Sequence, residues 1–73
     1  MLWTATKDGR CITALTRVSS EVDGVELRYT LNGDFLYSYR YRDGALAKLL
    51  PDLTSKRNAL LASGWTVYPQ IDD

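Results

Sequence analysis

Two dipeptides constrain this chain more than anything else in it: Asp8-Gly9 and Asn32-Gly33. A two-residue type I′ hairpin turn needs φ > 0 at both central positions, and Asp-Gly and Asn-Gly meet that need at the lowest cost. Runs with strand-like alternation flank each dipeptide. Counting back from Asp8-Gly9 pairs Lys7 with Arg10, Ala5 with Ile12 and Trp3 with Ala14. Thr4 then meets Thr13 and Leu2 meets Leu15 on the other face. One face is apolar and the other mostly Thr, Cys and Arg17, so turn chemistry and hydrophobic pattern predict the same register.

The second turn poses a conflict. Val25, Leu27, Tyr29 and Leu31 alternate with Glu26, Arg28 and Thr30, the signature of a half-buried antiparallel strand. Phe35, Tyr37, Tyr39 and Tyr41 alternate with Leu36, Ser38, Arg40 and Arg42. A two-residue Asn32-Gly33 turn pairs Thr30 with Phe35 and Arg28 with Tyr37, which puts the aromatic row on the charged face. A three-residue connection slips the last strand by one and sends all four aromatics to the side of Val25, Leu27 and Tyr29. With a side-chain period of two, that slip inverts the whole strand. Burial favours the slipped register and turn preference the unslipped one, so the aromatics are expected inside, against the turn rule. Val18 to Gly24 reads as a polar connecting loop.

Asp43 is expected to N-cap a long helix. Leu46, Leu49, Leu50, Leu53, Arg57, Leu60 and Leu61 recur at intervals of three and four and keep one phase. Pro51 falls inside this stretch and predicts a kink or a break into two helices. Arg57 lies in the stripe, its stem expected along the sheet. Ser63-Gly64-Trp65 predicts a Schellman stop with Gly64 at the left-handed position. Trp65 to Tyr68 could add a short terminal strand. The expected fold is α+β: a two-layer, four-stranded antiparallel meander with one long C-terminal helix, kinked or split at Pro51, packed on one face. The 73 residues leave room for a single domain over residues 1–69, with 70–73 as a flexible tail.

Composition narrows function by exclusion. There is no histidine, hence no Ser-His-Asp or Cys-His pair and no histidine-based zinc site. Cys11 is the only cysteine, so it forms no internal disulfide and no cysteine metal cluster. No stretch matches a phosphate-cradling loop or a cofactor fingerprint. Asp72-Asp73 reads as a solvated terminus rather than a catalytic pair. No apolar run approaches the ~18–20 residues of a membrane span. With no signal-peptide pattern and a lone thiol, the expected location is cytoplasmic, with no metal, cofactor or membrane partner. Nine basic and nine acidic side chains give zero formal charge, which argues against the broad basic field of a nucleic-acid binder.

The most distinctive segment is Tyr37-Ser38-Tyr39-Arg40-Tyr41-Arg42. Alternating Tyr and Arg suit a protein–protein hot spot and also base stacking with phosphate contact. The expected interaction surface is Arg17, Arg28, Tyr37, Tyr39, Arg40 and Arg42. The expected role is non-catalytic: an interaction or accessory module that binds a protein partner, or a second copy of itself, through its sheet face or edge. Nucleic-acid binding by the same Arg and Tyr side chains is the alternative, and enzymatic activity ranks last.

Trp3-Thr4, Gly24-Val25-Glu26-Leu27-Arg28, Asn32-Gly33 and Gly64-Trp65 together resemble small stand-alone bacterial proteins of uncharacterised function, a resemblance that spans nearly the whole chain and implies no activity or site residues. In topology alone, a three-stranded sheet followed by a helix is similar to the arm-type DNA-binding domains of phage integrases and to the plant AP2 domain. That likeness implies an exposed sheet face read into a major groove. Those domains are usually basic, whereas this chain is neutral.

Overall fold

The structure, a computed structural model, describes residues 2–18 and 24–68. The expected tail at 70–73, with Asp72-Asp73, and the loop residues 19–23 lie outside the described residues. Five strands, β1 (Trp3–Lys7), β2 (Arg10–Val18), β3 (Gly24–Leu31), β4 (Asp34–Arg42) and β5 (Thr66–Tyr68), form one antiparallel sheet in the order β4-β3-β2-β1-β5. The sheet therefore has five strands rather than the expected four. The extra one is the short segment after Gly64-Trp65, which pairs Val67 with Ala5 along β1. Val18 and Gly24 belong to β2 and β3 and not to the connecting loop. Gly24 is required there: a Cβ at this position would collide with the Tyr41 carbonyl oxygen of β4.

The first hairpin forms as its turn dictates. Asp8 and Gly9 both have positive φ, and Trp3↔Ala14, Ala5↔Ile12 and Lys7↔Arg10 are in register. In the second hairpin, turn chemistry and burial are both obeyed. Asn32 and Gly33 adopt positive φ, and Leu31↔Asp34 and Thr30↔Phe35 pair as a two-residue turn requires. A β-bulge then intervenes, after which Tyr29 pairs with Tyr37, Leu27 with Tyr39 and Val25 with Tyr41. Leu36 is the extra residue. Tyr37, Tyr39 and Tyr41 thus reach the face of Leu27 and Tyr29 as expected. Phe35, ahead of the bulge, stays on the opposite face and is 61% exposed. A bulge inserts one residue without changing the turn, so it moves the slip from the loop into the strand.

The helical layer packs on the tyrosine face. Trp3, Ala5, Ile12, Ala14, Leu27, Tyr29 and Tyr41 meet Leu53, Leu60 and Val67 in one core. Ala14 lies between Trp3 and Tyr29 in the same cross-strand row, and its small side chain lets the two rings approach to 5.9 Å across β2. The long helix divides. Asp43–Lys48 is a 3₁₀ helix and Leu49–Ala62 is α-helical (α1). Pro51 is the third residue of α1, where an N–H would have no intrahelical acceptor, so the proline starts the α-helix instead of bending it. Asp43 is the first residue of the 3₁₀ segment and not its cap; Arg42 occupies that position and no side chain caps the end. The leucine stripe is also narrower than its sequence phase suggests. Leu53 and Leu60 are buried and Leu49 partly so, whereas Leu46, Leu50 and Leu61 are exposed. The row that faces the sheet runs through 49, 53 and 60, with Lys56 and Arg57 both half-buried between Leu53 and Leu60 and the Arg57 Nε buried.

The C-terminus of α1 closes as a Schellman motif. Gly64 has φ of 90°, its N–H donates to the Leu61 carbonyl, and the Trp65 N–H donates to the Leu60 carbonyl at 3.0 Å. Lys7 Nζ donates to the Ser63 carbonyl at 2.6 Å, and the Arg10 guanidinium lies 5.1 Å from the Trp65 ring centroid. The first hairpin thereby holds the negative end of the helix dipole with a cation.

Because Leu36 is surplus to the ladder, deleting it should leave Thr30↔Phe35 followed directly by Tyr29↔Tyr37 and keep every tyrosine on its face. Urea unfolding of the deletion variant should stay within about 1 kcal/mol of the parent. A loss of several kcal/mol would mean that the bulge does not carry the register shift.

Candidate functional site

The two faces of the sheet carry different chemistry, and the bulge at Leu36 separates them. Among the described residues no secondary-structure element covers the second face. Register assigns to it Arg17, Glu26, Arg28, Ser38, Arg40 and Arg42 at one end. Further along, Tyr68, Thr4, Thr13, Thr30 and Phe35 form one cross-strand row over all five strands, and Leu15 lies beside Arg28.

Glu26 organises the charged end. It is buried to 8% exposure although it lies on the open face. Arg28 Nε is 3.2 Å and Arg17 Nε 3.9 Å from Glu26 Oε1. Arg40 is the register partner of Glu26 across β4. The Arg28 guanidinium also lies 5.2 Å from the Phe35 centroid, so it spans the acid and the exposed ring. The contact to the mostly exposed Arg17 is weak, about 0–1 kcal/mol, whereas Arg28 is the close partner of the buried carboxylate. Their value here is placement: one carboxylate draws Arg28, and more distantly Arg17, toward it, against four arginines on the face. Among the described residues the face carries four arginines against one acid, although the chain is neutral.

Of the six residues expected to form one surface, the structure gathers Arg17, Arg28, Arg40 and Arg42 on the open face and places Tyr37 and Tyr39 on the other. The interleaved Tyr-Arg run of β4 is thus two separate surfaces, because alternate residues of a strand face opposite ways. The sequence reading passed over Phe35, Tyr68 and the threonine row. Their common signal is cross-strand register, which ahead of the bulge keeps Phe35 in the threonine row while the tyrosines after it change sides.

On the helix side, Tyr29, Tyr37, Tyr39 and Tyr41 line a cavity of about 490 Å³. Asp52, Ser55 and Lys56 of α1 close it from above. The Tyr41 hydroxyl donates to Asp52 Oδ2 at 2.8 Å. Burial, then the charges of Tyr37, Tyr39 and Asp52, push the Tyr29 phenol up to about 12 from its ordinary 10. Burial, then the hydrogen bond to Asp52, raises Tyr41 further in the same direction.

Among the described residues no group of three or more His, Cys, Asp or Glu side chains could hold a metal ion, and no helix is long and apolar enough to cross a membrane. No protein-family model, curated protein or solved structure matches this chain.

The tyrosine shifts fix a pH dependence. Unfolded tyrosines release protons near pH 10, whereas Tyr29 holds its proton until about 12. Between those values the unfolded chain binds fewer protons, so stability is full below about pH 10 and falls as the pH rises. Tyrosine Cζ NMR should show Tyr29 and Tyr41 still largely un-ionised at about pH 11. A Tyr29 midpoint near 10 would contradict the buried placement.

Proposed function

We propose that this protein is a non-catalytic binding module whose open sheet face docks an acidic protein surface. The observation that carries this reading is the composition of that face. Arg17, Arg28, Arg40 and Arg42 share one face with Leu15 and Phe35, with Tyr68 on the far edge strand, and among the described residues no other layer covers that face. Phe35 and Tyr68 are 61% and 51% exposed. Arginine next to exposed aromatic and aliphatic side chains, here Arg28 beside Phe35 and Leu15, is the make-up of protein–protein hot spots, and an acidic partner would meet the guanidiniums. A phosphate backbone satisfies the arginines but offers nothing to Leu15, Phe35 or Tyr68. With Tyr37 and Tyr39 on the other face, base stacking on this surface has few rings to use.

A second copy fits less well. A two-fold contact through this face would bring two sets of arginines together. The β4 edge carries Arg40, Arg42 and a bulge, devices that discourage strand-to-strand pairing. The like charges and the blunted edge leave a different, acidic partner as the better complement.

The test is a titration of ¹⁵N-labelled protein with an acidic peptide of alternating Glu and Leu at low salt, alongside a short DNA duplex. Shifts should cluster at Leu15, Arg17, Arg28, Phe35 and Arg40, and R17E/R40E should weaken peptide binding by roughly tenfold or more. Unperturbed spectra, or equal binding by R17E/R40E, would refute the acidic-protein reading. Binding to the duplex alone, falling steeply with salt, would transfer the face to nucleic acid.

A further inference from the structure

The cavity on the helix side is a separate feature, on the opposite face of the sheet from the arginines. Three of its tyrosines meet as a corner. Tyr29 and Tyr37 have ring centroids 4.9 Å apart at an interplanar angle of 42°, and Tyr37 and Tyr39 lie 5.6 Å apart at 74°. The first pair is tilted and the second edge-to-face, all three rings line the same cavity, and the π faces of such rings attract cations. A cation already sits there. Lys56 Nζ is 5.3 Å from the Tyr37 centroid and 6.0 Å from that of Tyr29.

Lys56 is half-buried on α1, between the buried Leu53 and Leu60. It forms no ion pair or hydrogen bond with the described residues, although Asp52 lies one helical turn away. Among the described residues its partners are the two rings. Asp52 is held through one oxygen by Tyr41, and its other oxygen accepts nothing from the described residues.

We propose that Tyr29, Tyr37 and Tyr39, with the Asp52 carboxylate, form a binding site for a methylated or quaternary ammonium group, and that Lys56 is its built-in competitor. The lining favours a positive guest: Tyr39 is exposed and Tyr37 half-buried, Tyr29 is buried beneath Lys56 and becomes available as Lys56 leaves, and Asp52 adds a carboxylate. The 5.3 and 6.0 Å distances lie toward the outer limit of the interaction, about 6 Å. The flexible stem of Lys56 can swing its ammonium into water without breaking an ion pair. A methylated ammonium is less tightly hydrated than a lysine ammonium and gives up less on entering. The cavity, about 490 Å³, is within the range of small-molecule sites, roughly 300–1,000 Å³. A free quaternary amine and a trimethylated lysine on a polypeptide share this chemistry.

The experiment titrates the protein with tetramethylammonium, with choline, and with a short peptide carrying trimethyl-lysine against its unmethylated twin. Ligand methyl resonances should move upfield under the ring currents, and Tyr37 and Tyr39 ring signals should shift. K56Q removes the competing charge and should tighten binding by roughly fivefold to thirtyfold. K56A must act in the same direction. D52N, which can still accept from Tyr41, should weaken binding, and Y39A should abolish it without loss of fold, because Tyr39 is 55% exposed. A stronger response to the peptide would assign the site to a methylated polypeptide, and a stronger response to choline to a free amine. No upfield shift with any ligand in either the parent or K56Q overturns the proposal. So does weaker binding by K56Q, which would make Lys56 an anchor for an anion.

Discussion

The β-bulge at Leu36 is the constraint on which the rest of the molecule depends. Asn32-Gly33 needs a two-residue turn for backbone reasons, and the tyrosines of β4 need the helix side for solvation reasons. An uninterrupted ladder can satisfy only one of these. One unpaired residue satisfies both, at the cost of a local disruption of the ladder. Everything beyond the bulge follows: Tyr37, Tyr39 and Tyr41 join Leu27 and Tyr29 under α1, while Arg40 and Arg42 join Arg17 and Arg28 outside. Phe35, before the bulge, remains with the arginines.

The same arrangement explains how a neutral chain carries an arginine-rich face. Alternation places residues of opposite character on opposite sides of a strand. Glu26 is the acid among four arginines on the open face, and it is held by Arg17 and Arg28. Asp52 belongs to the helix layer, Asp8 lies in the first turn, and Asp34 flanks the second. Charge balance over the chain therefore says little about charge on either surface.

Much of the fold was legible because local and tertiary preferences agreed. The Asp8-Gly9 hairpin pairs as its turn and its apolar alternation both demand, and Ser63-Gly64-Trp65 ends the helix with the hydrogen bonds that its glycine implies. The second hairpin was legible only in halves, because a bulge has no residue signature comparable to Asn-Gly. The helix misled for another reason. Leucines at positions 46, 50 and 61 extend the apparent stripe, but only the row through Leu49, Leu53 and Leu60 meets the sheet. Lys56, a cation beside that row, could not be told from a solvated lysine without the rings beneath it. The site expected from Tyr37 to Arg42 combined two surfaces that share a strand and not a side.

Interstrand nuclear Overhauser effects along β3 and β4 test the bulge most directly. The structure predicts cross-strand contacts for both Thr30–Phe35 and Tyr29–Tyr37, with Leu36 facing no single partner. A contact between Tyr29 and Leu36, continuing as Arg28–Tyr37, would mean an unbroken ladder. It would put the tyrosines on the arginine face, and the separation of the two surfaces would fall with it.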